Sequence, residues 1–190
     1  KHMNGEATKQ GIAIPWNGHV PFHYENTEEE RQRAMKEITM NPYPITEKGL
    51  KKGSELYTIY CGICHGSGAA GDGYLVRDNG GKYPAQPAIL TTEEFVNASE
   101  GRYYFAIMYG KNMMGSFASK LSYEERWQVI HYIRSLQAEE TGATYNPEKN
   151  TLNDGAIPAA EWDKQVAKKV MEREAEVDDT EGSTMQDTLQ

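Results

Sequence analysis

The sequence predicts an all-α fold of short helices, with long irregular extensions at both ends. Three observations carry that expectation. The middle of the chain holds three helical segments with their own start or stop signals. Prolines and aromatics are scattered through the beginning, and the end closes in an acidic run of low hydrophobicity from Glu172 to Asp187. The zones divide as 1–45, 46–138 and 139–190, and no internal repeat links them. For 190 residues with a net charge of −8 and a mean hydropathy of −0.75, a single core with solvated extensions is the organisation the composition supports.

In the first zone, Pro15, Pro21, Pro42 and Pro44 break up regular structure. Thr27 followed by Glu30 forms a capping-box signature for a short helix running to about Ile38. The segments around Pro15-Trp16 and Pro21-Phe22-His23-Tyr24 read as extended and sticky, suited to wrapping a partner or folding back on their own domain. Thr46 caps the next helix, which carries Leu50, Leu56, Tyr57 and Tyr60 up to Cys61. Gly53 falls inside it, where glycine costs about 1 kcal/mol relative to alanine. Close approach of another helix is the benefit expected to offset that cost.

A second segment begins near Ser99, passes through Tyr104, Ile107 and Met108, and stops at Gly110. The third opens with a capping box at Ser122-Tyr123-Glu124-Glu125. Val129, Tyr132, Ile133 and Leu136 then fall at i, i+3, i+4 and i+7, one continuous apolar face. At about 100° per residue, Trp127 and Ile130 project to the far side, so a terminal extension or a partner subunit is expected to cover them, unless the helix is simply more enclosed than its wheel suggests. In the last zone, residues near 158–175 suit a helix with a narrow stripe of Trp162, Val166 and Val170.

Composition also removes classes of function. The chain has no basic stripe for nucleic acid. It has no run of about 18 apolar residues, so no transmembrane segment is expected.

The only cysteines lie in Cys61-Gly62-Ile63-Cys64-His65. A zinc site needs two further Cys or His ligands at similar spacing, and none follows. A redox dithiol belongs in a βαβ setting, whereas this segment reads as helical. A disulfide across three residues leaves His65 unexplained. Covalent haem attachment accounts for all three side chains: the thiols form thioethers and the next residue offers imidazole to the iron. Downstream, Gly66-Ser67-Gly68-Ala69-Ala70-Gly71 matches the glycine-rich dinucleotide pattern. No strand leads into it, so the glycines read instead as tight turns against a flat haem edge.

With these residues placed, residues 46–138 resemble the class I cytochrome c family. Its members carry a glycine and an aromatic eight and four residues before the first haem cysteine, the positions of Gly53 and Tyr57. Tyr132 corresponds to the aromatic of the last helix, packed over that glycine. The resemblance implies a class I cytochrome c fold around one covalent haem c per chain, with Cys61 and Cys64 as thioether donors and His65 as an axial ligand. It further implies that Pro87, in Gln86-Pro87-Ala88-Ile89, offers its carbonyl to the proximal imidazole. The sixth ligand implied is Met114, in Met114-Gly115-Ser116-Phe117, with Gly115 in place of the family's usual proline and Met113 as direct competitor. Met108 reads as a core side chain. His19, His23 and His131 are able to ligate iron but read as surface or core residues. Tyr83, Arg102 and Trp127 are the side chains considered for the haem propionates.

Two axial ligands fill the iron, which implies electron transfer and no catalytic chemistry of the chain's own. A peroxidase or ligand-binding haem protein becomes the reading only if Met114 is not bound. A narrower resemblance lies in Ile45-Thr46-Glu47, Leu56-Tyr57-Thr58-Ile59-Tyr60-Cys61 and Tyr109-Gly110-Lys111-Asn112-Met113-Met114. These strings are similar to the monohaem cytochrome c subunit of alternative complex III, a bacterial quinol-oxidising membrane assembly. That resemblance implies export to the periplasmic side of the cytoplasmic membrane. It implies neighbouring subunits as electron donors, and an oxidase or soluble carrier as acceptor. Members are often lipid-anchored at an N-terminal cysteine, which this chain lacks. The alternative is a free periplasmic carrier.

Overall fold

Thr27, Thr46 and Ser122 each start a helix through their own hydroxyl, and the rest of the fold hangs on those three starts. The structure is a computed structural model that describes residues 22–76 and 85–165. Helix α1, Glu28–Glu37, follows Thr27, whose Oγ1 accepts from the Glu30 amide at 3.2 Å. The reciprocal half of this box does not form, because the Glu30 carboxylate accepts from Arg33 instead. Helix α2, Glu47–Tyr60, follows Thr46, which accepts from the Gly49 amide at 3.0 Å. Two single turns come next: α3, Gly62–His65, and α4, Glu93–Val96. Helix α5, Glu100–Tyr109, stops at Gly110, where φ is +82°. Helix α6, Tyr123–Thr141, has a complete capping box: Ser122 Oγ accepts from the Glu125 amide and Glu125 Oε2 from the Ser122 amide. Among the described residues there is no strand, only isolated bridges such as Ile45 with Pro158.

Helices α2 and α6 cross at Gly53. A Cβ there would collide with the carbonyl of Gln128 and lie 3.1 Å from the Tyr132 Cβ. The Tyr57 and Tyr132 rings meet beside this crossing, 5.3 Å apart and tilted by 60°. The mid-helix glycine is therefore the contact point of the two longest helices, and its propensity cost is offset by packing.

The far side of α6 is covered from within the chain. Trp127 is 2% exposed and stacks on Tyr104 of α5, with centroids 4.4 Å apart. Ile130 is fully buried. Phe22 packs on Tyr104, Phe105 and Tyr109, so the start of the described chain folds back on its own domain. Helix α1 docks on α5 closely enough that a Cβ at Gly101 would strike the Ala34 carbonyl, while the Gly101 amide donates to the Ile38 carbonyl at 2.8 Å.

The chain beyond α6 returns to the same region. Ile45, Ala138, Tyr145 and Ala156 form a second small core. Backbone bonds from Ile45 to the Ile157 carbonyl and from Ala159 to the Ile45 carbonyl tie the two flanking segments together. The backbone is helical over 159–165, with Trp162 half-buried. Val166, Val170, the acidic run, Pro15 and Trp16 lie outside the described residues.

Candidate functional site

The Cys61–His65 turn is held from three directions. Helix α2 leads straight into it, with the Cys61 amide still donating to the Tyr57 carbonyl. The Tyr57 hydroxyl donates to the Gly66 carbonyl at 2.9 Å, which pins the residue just past His65. The glycine-rich loop then folds back on the turn, as Gly71 donates to the His65 carbonyl and Gly73 to the Cys64 carbonyl. Gly66 needs its positive φ of +78°, and a side chain there would run into Asp72. These glycines therefore serve a close backbone turn against the cysteine motif.

His65 Nδ1 lies 3.1 Å from the carbonyl oxygen of Ala88. The carbonyl expected at this place was that of Pro87, one residue earlier. Pro87's oxygen faces Gly71 instead, 3.0 Å from where a Cβ of that residue would sit. The backbone thus presents the following carbonyl to the ring. Burial holds the His65 imidazole below its ordinary pKa, against the opposing pull of the Ala88 bond. A neutral ring with Nδ1–H given to a carbonyl keeps Nε2 as a metal-ligating lone pair. Burial likewise pushes the Cys61 thiol up to about 12, with Cys64 adding to the effect. A reactive dithiol requires the opposite shift.

The methionine loop follows α5. Lys111 and Met114 exchange backbone hydrogen bonds of 3.0 and 2.9 Å, closing a tight turn with Asn112 at a positive φ of +53°. Phe117 anchors the return by donating its amide to the Ile107 carbonyl. Met113 is 49% exposed at the tip, whereas Met114 is half-buried. A Cβ on Gly115 would meet no atom within 4 Å, so nothing steric demands glycine there.

A cavity of about 440 Å³ brings these pieces together. Its lining includes Cys61, Cys64, His65 and Pro87 from the first group, and Met113 and Met114 from the second. Apolar side chains of Ile107, Val129 and Ile133 supply much of the remainder. Two thiols, a neutral imidazole and a thioether facing one apolar cavity are the donor set that haem c takes. Among the described residues, no group of three or more His, Cys, Asp or Glu side chains is placed to hold a bare metal ion.

Other sequence candidates separate cleanly. Met108 packs against the core. His23 is exposed and His19 is outside the described residues. His131 is buried beneath the flanking segments, with Nδ1 2.7 Å from the Tyr145 hydroxyl and Nε2 3.1 Å from the Tyr43 carbonyl, so both nitrogens are occupied. Trp127 does not line the cavity, and Tyr83 is outside the described residues. Arg102 does line it, paired with Glu94 at 2.6 Å and lying 4.1 Å over the Phe95 ring. The sequence reading missed Arg31, which reaches the cavity from α1 while bonded to Glu28 at 2.8 Å. Its i, i+3 spacing from Glu28 has the pattern of an ordinary surface pair, so no local signal distinguishes it.

Among the described residues, no helix is long and apolar enough to cross a membrane. Residues 48–133 match the family model described as cytochrome C oxidase, cbb3-type, subunit III. A chain of the Kuenenia stuttgartiensis reducing HAO-like protein complex Kustc0457/Kustc0458 is 35% identical, over 50% of this chain and 46% of that one, with a TM-score of 0.43. This chain therefore spans less than half the length of that relative. No curated protein matches. The matched segment runs from the start of α2, through the Cys61–His65 turn and the methionine loop, to Ile133 of α6. Over these matched residues the described chain is all-α, and it is similar to that cytochrome family.

Proposed function

We propose that the chain is a monohaem c-type cytochrome that passes single electrons outside the cytoplasm, as a subunit of a membrane quinol-oxidising respiratory complex. The observation that carries the electron-transfer reading is the shared cavity of Cys61, Cys64, His65 and Met114. In this reading Cys61 and Cys64 would hold haem c through thioethers, and His65 and Met114 would ligate its iron. When bound, haem c supplies a one-electron iron couple.

The protein's own part is to hold that geometry still. The Ala88 carbonyl orients the His65 ring and fixes its tautomer. The paired backbone bonds of Lys111 and Met114 hold the thioether in place. Ile107, Val129 and Ile133 give the cavity an apolar wall. Arg31 and Arg102 line the cavity and would offer positive charge to the haem carboxylates. With His65 and Met114 both given to the iron, the chain would leave no open coordination site for catalysis.

The complex-subunit half of the proposal rests on the resemblance of the 45–47, 56–61 and 109–114 strings to the alternative complex III subunit. Exposed Ile63, Ile89 and Met113, close in sequence to the ligands, also suit a docking face. Purification from native membranes, followed by denaturing electrophoresis with haem staining, tests both halves. One stained band of this chain, co-migrating with other subunits, is expected. Loss of the stain on acid–acetone extraction would sink the haem assignment. A stained band found only in the soluble periplasmic fraction would favour the free carrier.

A further inference from the structure

Just past the matched segment, α6 buries two large polar side chains. Arg134 is 1% exposed and Gln137 is fully buried. Arg134 Nε donates to Glu100 Oε1 at 2.8 Å, and Nη1 donates to the carbonyls of Phe95 and Val96 and to Gln137 Oε1. Nη2 donates to the Ala98 carbonyl. Gln137 Nε2 in turn donates to the Leu90 carbonyl at 2.5 Å and the Tyr103 hydroxyl at 2.7 Å. Moving a guanidinium and an amide out of water is costly unless every donor finds a fixed partner. Here the backbone partners are the carbonyls of one stretch, residues 90–98.

That stretch has a functional end. The Leu90 peptide is gripped on both sides, its amide donating to the Ala69 carbonyl at 2.9 Å and its carbonyl accepting from Gln137. Two residues earlier, the Ala88 carbonyl faces His65 Nδ1. Only Ile89 separates the fixed peptide from the acceptor of the proximal ring.

We propose that Gln137, itself held by Arg134, is a positioning residue for His65. It fixes the Leu90 peptide so that the Ala88 carbonyl stays on Nδ1, and through that bond it sets how strongly the imidazole donates to iron. The inference rests on the haem reading above. A carbonyl accepting from Nδ1–H makes the ring a stronger donor, which favours the ferric state and lowers the reduction potential. Loosening the bond therefore raises the potential.

The test uses the holoprotein. Gln137→Leu keeps the volume and removes the amide, and Gln137→Asn keeps an amide too short to reach Leu90. The readouts are a redox titration and the exchange rate of the His65 Nδ1 proton by paramagnetic NMR. Either variant that yields holoprotein is expected to shift the one-electron equilibrium about threefold toward the reduced form, about 30 mV at 59 mV per decade. Faster Nδ1 proton exchange is expected alongside. Tyr145→Phe, which breaks the bond to His131 away from the cavity, is expected to lower stability without moving the potential. An unchanged potential and exchange rate in the Gln137 variants would overturn the proposal. A wild-type protein without covalent haem would overturn the reading beneath it, and haem staining separates the two.

Discussion

The side-chain amide of Asn41 donates to the main-chain carbonyl of Trp127 across a separation of 86 residues, at 3.1 Å. Asn41 is 4% exposed, its Oδ1 accepts from the Tyr43 amide, and its own amide donates to the Gly155 carbonyl. A single side chain ahead of the matched segment thus joins α6, the N-terminal flank and the C-terminal return. Asn41→Ala removes the acceptor of the part-buried Tyr43 amide and a second donor to the Trp127 carbonyl, which α6 already bonds internally, at a cost of about 0.5–1.5 kcal/mol per bond. Denaturant unfolding of the holoprotein should show that loss as a lower midpoint with unchanged slope. A midpoint equal to wild type would mean the flanks are held by other contacts.

Met114→Ala should abolish the near-infrared sulfur-to-iron charge-transfer band of the oxidised protein, and Met113→Ala should leave it. Met114 is the less exposed of the two and is held at the closing end of the turn, whereas Met113 stands at the tip. The reverse pattern would give the ligand role to Met113.

Two glycines should respond differently. Gly53→Val drives a side chain into the Gln128 carbonyl and the Tyr132 Cβ, and overpacking of this kind costs about 1–3 kcal/mol, occasionally more. Holoprotein yield and thermal midpoint should fall. Gly115→Ala meets no protein atom within 4 Å and should cost far less than Gly53→Val. A neutral Gly53→Val would refute the close crossing.

His131 makes stability depend on pH. Burial depresses its pKa to about 4, the Tyr43 carbonyl opposes that shift, and nearby Arg134 reinforces it. The free side chain titrates near 6.5, so as pH falls from about 6.5 to about 4 the unfolded chain takes up a proton that the folded one refuses. Stability should therefore decline across that window and the His131 contribution should level off below it. Unfolding free energies at several pH values should fall across that window for wild type, and His131→Gln should lose that slope. Parallel pH profiles would show that His131 is not the group responsible.

The local features were legible in the residues themselves. Thr27, Thr46 and Ser122 start their helices because a cap is satisfied within three residues, whatever the rest of the chain does. The Cys61–His65 spacing depends only on one helical turn, and Gly53 announced a close crossing through its propensity cost. The partner of that crossing was half visible: Tyr132 is there, but the atom in tightest contact is the backbone of Gln128. Only the tertiary structure decided the rest. The wheel of α6 showed one apolar face, yet Gln128, His131, Arg134 and Gln137 are buried along with Trp127 and Ile130. Their partners are tyrosines, carboxylates and backbone carbonyls, supplied mostly by α4, α5 and the flanking segments and, for Gln128, by Glu124 of α6 itself. A carbonyl acceptor has no side-chain signature, since every residue carries one. For the same reason the ring of His65 met Ala88 and not Pro87: which of two adjacent carbonyls faces it is set by how Gly71, Leu90 and Gln137 hold the loop.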